Sequence, residues 1–543
     1  NGIRFSISDL TVAHPRLLTC VYQERVGISL YDSLHESGSE AKEFFFPPKT
    51  ITQVSNLLAR FQRICKAHGV LPENTIIFAT EALRTAKNKD EMLRAIRKAT
   101  GLCLSLLSPK VESLLGAMGA RSEFARVDGL FLDLGGGSVQ ITYVNSTYGP
   151  NYEFRAAQAA HSMPFGAAKL SSALEDPVSG KIAVEKLQVE MITAVKYLKE
   201  TFPALKSQLE SDEGVAIYLC GGGFRGYGSM LMHLDVIQPY PIGDIGGYRV
   251  PGNRFKDWQK MLLANKQEGS VYGLSKRRRR QFPAIAMVVK TLVEAVPHIK
   301  SAIFCSGGNR EGALFMKLSP SIRETDPFPL IPTPISKYDP RILSFVSGLL
   351  SKAIPCSHPA VFTPHVLYYI ARNIWTNQGL KYNASRTLSE SITSVRNTFP
   401  SLEHELCAML AITISARWGF DLGHADAQTS QNLQEIVGAD LAWWCKYIGT
   451  ACRFMATIFP VFPSSQKLLE QSFSWNGIWS NSLGKKGKKE GILLKIKLRK
   501  ELYRGILGAA KGEGSLKKMW KKIKHGSKLH RNVKVKIHWL NDN

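Results

Sequence analysis

The sequence predicts an α/β protein that becomes all-helical in its second half and ends in a small basic α+β module. Three observations carry this expectation. β-type runs alternate with amphipathic helical stretches through the first 330 residues, strands vanish from Lys337 onward, and positive charge gathers in the residues after Gly484.

In chain order, the strand-like runs are Ile3 to Ile7, Leu17 to Val21, Thr75 to Ala79, Leu130 to Leu134, Val139 to Val144, Ala216 to Cys220 and Ala302 to Cys305. Between them, Thr52 to His68 and Ala183 to Glu200 carry apolar residues at helical spacing, among them Val54, Leu57, Leu58, Phe61 and Ile64 in the first. The proline-rich stretch Pro327 to Pro334 reads as a connection, and Pro340 to Phe459 as mostly helical. After a linker expected at Ser480 to Gly491, Ile492, Leu494, Ile496 and Leu498 alternate with Lys495, Lys497 and Arg499. Val533, Val535 and Ile537 alternate in the same way with Lys534 and Lys536. Two strands, each with one basic face, are expected, with Leu516, Met519, Trp520 and Ile523 forming a helical stripe between them.

With 543 residues, 44% hydrophobic and 21% charged, the chain is globular and too long for one core. The nine cysteines are scattered without a Cys-x-x-Cys pair, which excludes a thiolate zinc site or disulfide framework of the usual spacing and fits a reducing compartment. No apolar stretch reaches the ~20 residues of a spanning helix, so a soluble, cytoplasmic protein is expected. The net charge is +26, but Gly484 to Asn543 holds nineteen Lys/Arg against four Asp/Glu, leaving +11 for the rest. The chain opens in strand-like alternation without an initiator Met, and residues preceding Asn1 are expected.

Leu132 to Ser138 reads Leu-Asp-Leu-Gly-Gly-Gly-Ser between two strands. Two readings are open. The glycines either serve a hairpin turn that needs positive φ, or let backbone amides approach a phosphate, with Ser138 adding a donor and Asp133 holding Mg²⁺. Further glycine turns follow strands at Cys220-Gly-Gly-Gly-Phe-Arg225 and Cys305-Ser-Gly-Gly-Asn-Arg-Glu-Gly312, and Met163-Pro-Phe-Gly-Ala167 follows an extended segment. Several such turns in one α/β region favour a phosphate-lined cleft. Asn1 to Ser8 also lies on Gly137 to Val144 as a short repeat, so each α/β half is expected to begin with a phosphate-facing hairpin.

In their order these pieces resemble the Ppx/GppA phosphatases, exopolyphosphatases and guanosine pentaphosphate phosphohydrolases of the actin-like (ASKHA, ribonuclease H-like) superfamily. Asp133 to Ser138 matches the family's Asp-x-Gly-Gly-Gly-Ser and Thr80 to Arg84 its Thr-x-x-x-Arg, while Ser306 to Gly312 resembles its Ser-x-Gly-x-x-Arg-Glu-Gly, one position shorter. Glu112 falls on the second glutamate of a Glu-Glu-Ala segment, while Asn1, Gly2 and Arg4 match half of the first hairpin. The wordings at 78 to 88, 163 to 167 and 220 to 225 look most like the family's fungal retrograde-regulation branch, which implies a role in signalling mitochondrial status to the nucleus through regulatory protein partners.

The resemblance implies two actin-like ATPase subdomains around a cleft, over 1–120 and 121–330, then a degenerate HD-like helical domain over 331–479 and the basic module over 480–543. It implies a polyphosphate or nucleotide ligand (ATP, GTP or guanosine polyphosphate) with Mg²⁺ at Asp133. Phosphates would lie on Asn1, Gly2, Arg4, Gly135, Gly136, Gly137, Ser138, Gly221, Gly222, Gly223, Ser306, Gly307, Gly308 and Arg310. Glu112 would serve the attacking water, and Arg84 the phosphoryl charge. By the same analogy a homodimer is expected. Two functions stay open: a sensor that keeps the cleft, or an active phosphoanhydride hydrolase.

The departures matter. Gln140 stands where the family often has Glu, and Val111 replaces the first glutamate of the pair. The helical domain lacks the HD step after Cys407-Ala-Met-Leu410, so His404, His424 and Asp426 read as surface or structural groups. Lys276 to Arg280 reads as a helix entry lining the cleft, with a nuclear signal as the alternative. The tail's lysines around Trp520 allow nucleic-acid or anionic-surface binding, against solvated faces as the plain alternative.

Overall fold

The computed structural model describes residues 2–11, 14–35, 44–331, 338–355, 359–483, 489–502, 513–521, 523 and 531–540. It contains two compact units, residues 1–235 with 244–327, and residues 236–243 with 328–543.

Two apolar cores of the first unit frame the site described below. In the first, strands β1 (Ile3–Ser8) and β2 (Cys20–Val26) pair antiparallel, and β3 (Ile77–Ala79) pairs in parallel with β4 (Leu104–Leu106). The amphipathic helix Pro48–Ala67 covers them, with Phe61 stacked on Phe5 at 4.3 Å and Val54 and Leu58 buried alongside Leu83, Met92 and Ile96. The second strand therefore starts at Cys20 rather than at Leu17, because Pro15–Leu17 forms a 3-10 turn. Proline without an N–H suits the first position of such a turn better than a strand ladder.

The second core is built on β5 (Asp128–Leu134), β6 (Val139–Asn145), β7 (His161–Met163), β8 (Val215–Cys220), β9 (Arg249–Pro251) and β10 (Ile299–Phe304), in the order β7-β6-β5-β8-β10-β9. β5, β8 and β10 run parallel, and β5 with β6 forms the antiparallel hairpin around the glycine turn. Every residue of β6 is buried, so its two faces are not the apolar and polar pair that alternation suggests. The helix Pro109–Arg121 crosses the boundary read at residue 120 and packs by Ala117, Met118 and Ala120 into this second core.

The second unit contains the helices Pro340–Ala353, Pro364–Asn373, Ala384–Thr398, His404–Trp418 and His424–Ile458, and a sheet of β11 (Phe473–Leu483), β12 (Lys489–Arg499) and β13 (Asn532–Leu540). The linker expected at 480–491 is replaced: its first residues finish β11 and its last begin β12, in antiparallel register. Nor does the sheet stand as a separate module. Trp475 donates its indole N–H to Leu349 O (2.6 Å), a side chain on Gly477 would overlap Ala353 O, and Trp520 packs on Tyr447 at 5.4 Å. His404, read as surface or structural, is structural: it is buried, and its Nδ1 lies 2.9 Å from Tyr240 Oη.

Candidate functional site

Strands β5, β8 and β10 deliver Asp133, Gly221 and Gly308 to their carboxyl ends, the edge at which parallel sheets bind ligands. A cavity of about 1150 Å³ opens there, between the two cores of the first unit. Residues from both cores line it, including Gly2, Arg4, Glu81, Glu112, Asp133 and the glycine turn.

None of Gly135, Gly136 and Gly137 has positive φ, so hairpin handedness does not explain the turn. Close approach does. A side chain on Gly137 would overlap the Glu81 carboxylate, and one on Gly166 would overlap the backbone of Gly136 to Ser138. The amides of Gly166, Ala167 and Ala168 donate to the carbonyls of Gly137, Gly135 and Gly136 at 2.8 to 3.0 Å. That fastens the turn from beneath. The amides of Gly136, Gly137 and Ser138 find no backbone acceptor among the described residues, leaving three donors on the turn. Gln140 Nε2 donates to Ser138 Oγ (2.6 Å) and Ser162 Oγ (3.3 Å), so Ser138 Oγ is an acceptor within the protein and its O–H is free to donate to an anion.

Burial and charges, with no hydrogen bond from the described residues, set the state of Asp133. Burial is the main reason its carboxyl titrates above the usual range, with Arg225 and Arg4 pulling the other way. Asn309 Oδ1, buried and without a partner, lies 3.1 Å from the point where a side chain on Gly116 would begin, and Asp133 Oδ2 lies 3.2 Å from that point. A desolvated carboxylate beside an orphaned amide oxygen is a donor set that fits a hard cation completing its shell with phosphate and water. The described residues contain no cluster of three or more His, Cys, Asp or Glu suited to a metal.

Glu112 sits in the first turn of its helix, which Ser108 caps by accepting from Val111 N. Its Oε2 lies 2.8 Å from Arg84 Nη1, but that guanidinium directs a hydrogen bond to Leu107 O at 2.6 Å, so the charge pair is close without being well aligned. Burial pushes the Glu112 carboxyl up to about 7. Arg84 opposes the shift, and Asp133 and Glu81 add to it.

A ring of guanidiniums faces these acids. Arg4 opens on the cleft, and it is pushed down to about 10, first by desolvation and then by Arg225, Arg310 and Arg25, which still leaves it charged at neutral pH. Arg278, from the basic run, packs over Gly222 and Gly226 and is pushed down to about 10 by burial and by Arg225, Arg25 and Arg4. Its neighbours do structural work: Arg277 pairs with Asp32 at 2.7 Å, and Arg279 donates to Glu268 O at 2.8 Å. Arg310 donates to Phe5 O (2.9 Å), and Lys169 stands 3.4 Å from Glu81. The walls of the cleft are thus joined by polar ties.

Most residues expected at the site converge here. Gly223 does not, being packed on the Leu134 side chain. Ser306 O accepts from Arg225 (2.8 Å), and Gly307 is buried against Gly119 with its amide on Glu123, so both build the floor rather than line it. Asn1 lies outside the described residues. Glu81, Arg225, Asn309 and Lys169 were not singled out. Glu81, Arg225 and Asn309 lie inside the stretches 80–84, 220–225 and 305–312, and Lys169 lies two residues beyond Ala167, which is the signal they carried.

This geometry agrees with what the chain is similar to. The model of the Ppx/GppA phosphatase family matches residues 7–320, and the chain belongs to that family; the actin-like α/β fold read from the sequence goes with it. The RTG2 C-terminal domain matches residues 333–541, spanning helices and sheet together. Retrograde regulation protein 2 of Saccharomyces cerevisiae is 29% identical over 490 residues, 85% of this chain and 79% of its own length. Exopolyphosphatase 1 of Mycobacterium leprae is 26% identical over 268 residues, 48% of this chain and 72% of that one. The crystal structure of the Aquifex aeolicus Ppx/GppA family member aligns with a TM-score of 0.43 at 18% identity, covering 58% of this chain and 94% of that one.

Proposed function

We propose that the cleft binds polyphosphate or a nucleotide polyphosphate together with Mg²⁺, and that the chain acts as a sensor in mitochondria-to-nucleus retrograde signalling. The observation that carries the binding is that Arg4, Arg225 and Arg310 line the cavity together with a glycine turn bearing three unengaged amides, with Arg278 packed over Gly222. Desolvation first, and then the neighbouring guanidiniums, lower the pKa of Arg4 and Arg278, and several anionic charges together, as a phosphate chain supplies, would relieve that crowding. Asp133, with Asn309 Oδ1, would hold the cation, whose chemistry is to neutralise and bridge phosphate oxygens. The signalling role rests on the similarity to retrograde regulation protein 2 and on the RTG2 C-terminal domain. The polar ties across the cleft support it, because a ligand competes for the same groups. No helix among the described residues is long and apolar enough to cross a membrane; a cytoplasmic location is part of the proposal.

A second reading, hydrolysis of the terminal phosphoanhydride, is favoured by Glu112. A carboxyl titrating near 7 is suited to accept a proton from water at neutral pH, and Arg84 lies beside it to meet phosphoryl charge. Gln140 weighs against it, since the neutral amide spends its donor on Ser138. Phosphate release from polyphosphate or guanosine pentaphosphate, compared with Glu112→Ala, separates the two. Release lost in the variant establishes the hydrolase, and ligand-induced stabilisation without release establishes the sensor.

A further inference from the structure

The two basic strands of the C-terminal sheet are neighbours, parallel and in register: Lys495 lies opposite Lys536, and Lys497 opposite His538. Their apolar sides face inward, with Ile492, Leu494, Ile496 and Leu498 fully buried, so Lys495, Lys497, Lys534, Lys536 and His538 are exposed together on the outer face. None of these five is paired with a carboxylate among the described residues. Glu490 lies on the opposite face of β12 and is held by Arg531 at 3.1 Å. Like charges directly opposite one another cost stability, and an anionic partner would offset that cost.

We propose that this face docks an extended acidic segment of a partner protein laid along β13. Three features select that occupant. Alternate residues of a strand stand about 6.6 Å apart, the same repeat as an extended peptide, so acids at every second position would meet Lys534, Lys536 and His538 in turn. β13 pairs only with β12 among the described residues, which leaves its other edge for strand addition. On β11 the outward positions in register with the lysines are Ser474 and Asn476, so the face offers bases no aromatic side chain beyond the imidazole of His538.

The test is fluorescence anisotropy of the full chain with a labelled peptide of alternating Glu and Thr, beside a peptide of equal composition with its glutamates in one block. The alternating peptide is expected to bind about tenfold more tightly than the blocked one, and salt should weaken it. Lys534→Glu with Lys536→Glu is expected to abolish binding without lowering the melting temperature, because both side chains are exposed. Lys534→Ala with Lys536→Ala should weaken it, and Lys181→Glu in the first unit should not. Equal binding of the two peptides overturns the proposal. So does tighter binding of single-stranded DNA or phosphatidylserine vesicles that the same variants abolish.

Discussion

The Glu81 carboxylate occupies the space that a side chain on Gly137 would need. One oxygen of Glu81 is buried without a partner, and the other faces Lys169 at 3.4 Å. The acid of one core is therefore seated against the glycine turn of the other. Gly137→Ala should fold but lose about 1–3 kcal/mol through overpacking. Adding Glu81→Ala should restore most of the lost melting temperature. A double variant no more stable than the single one would show that Glu81 is not what the new methyl meets.

Glu112 makes a pH prediction whose sign follows from burial. Its folded pKa, about 7, lies above the ordinary 4.5, so the folded state holds the proton more tightly. The stabilisation from that proton is present below the unfolded value and is lost as pH rises through the folded one. Glu112→Gln should accordingly gain on wild type between about pH 5 and about pH 8, by up to about 3 kcal/mol. Thermal melts of both proteins across that range check it. A gap independent of pH would mean that Arg84 compensates the buried charge fully.

Asn309 and Asp133 predict the behaviour of the cation. Asp133→Asn should remove the Mg²⁺-dependent part of the thermal shift produced by polyphosphate. Asn309→Ala should weaken that part by about tenfold in apparent Mg²⁺ affinity, with the Mg²⁺-free shift retained. Equal loss with and without Mg²⁺ in Asn309→Ala would place its oxygen in turn geometry instead.

Gln140→Glu tests the position at which the family resemblance leads one to expect Glu. A carboxylate there accepts the Ser138 proton instead of leaving it for the ligand, and adds an acid near Asp133. Binding of polyphosphate without Mg²⁺ should weaken and its dependence on Mg²⁺ should steepen. An unchanged Mg²⁺ dependence would remove Gln140 from the account.

The sequence made the centre of the site legible because its constraints are local. Asp133 to Ser138 ends one strand and begins the next, and Gly308 and Arg310 follow a third strand at fixed spacing. What escaped was set by contacts distant in the chain. Glu81 acquires its place only when Gly137 approaches, and Asn309 only when Asp133 does. Gly223 and Gly307 read like phosphate glycines, but they are small because Leu134 and Gly119 press on them. β11 was missed because Ser, Asn and Gly interrupt its β-formers. Their tolerance comes from packing, since Gly477 lets the strand lie against Ala353.

Calorimetric titration of the full chain with polyphosphate in Mg²⁺, for wild type, Arg225→Ala and Lys534→Glu/Lys536→Glu, tests the central claim most directly. The cleft account predicts saturable binding that falls about tenfold or more in Arg225→Ala, as loss of a charge-assisted contact implies, and that persists in the C-terminal variant. Binding undiminished by Arg225→Ala and abolished by the lysine reversals, or no binding at all, would contradict it.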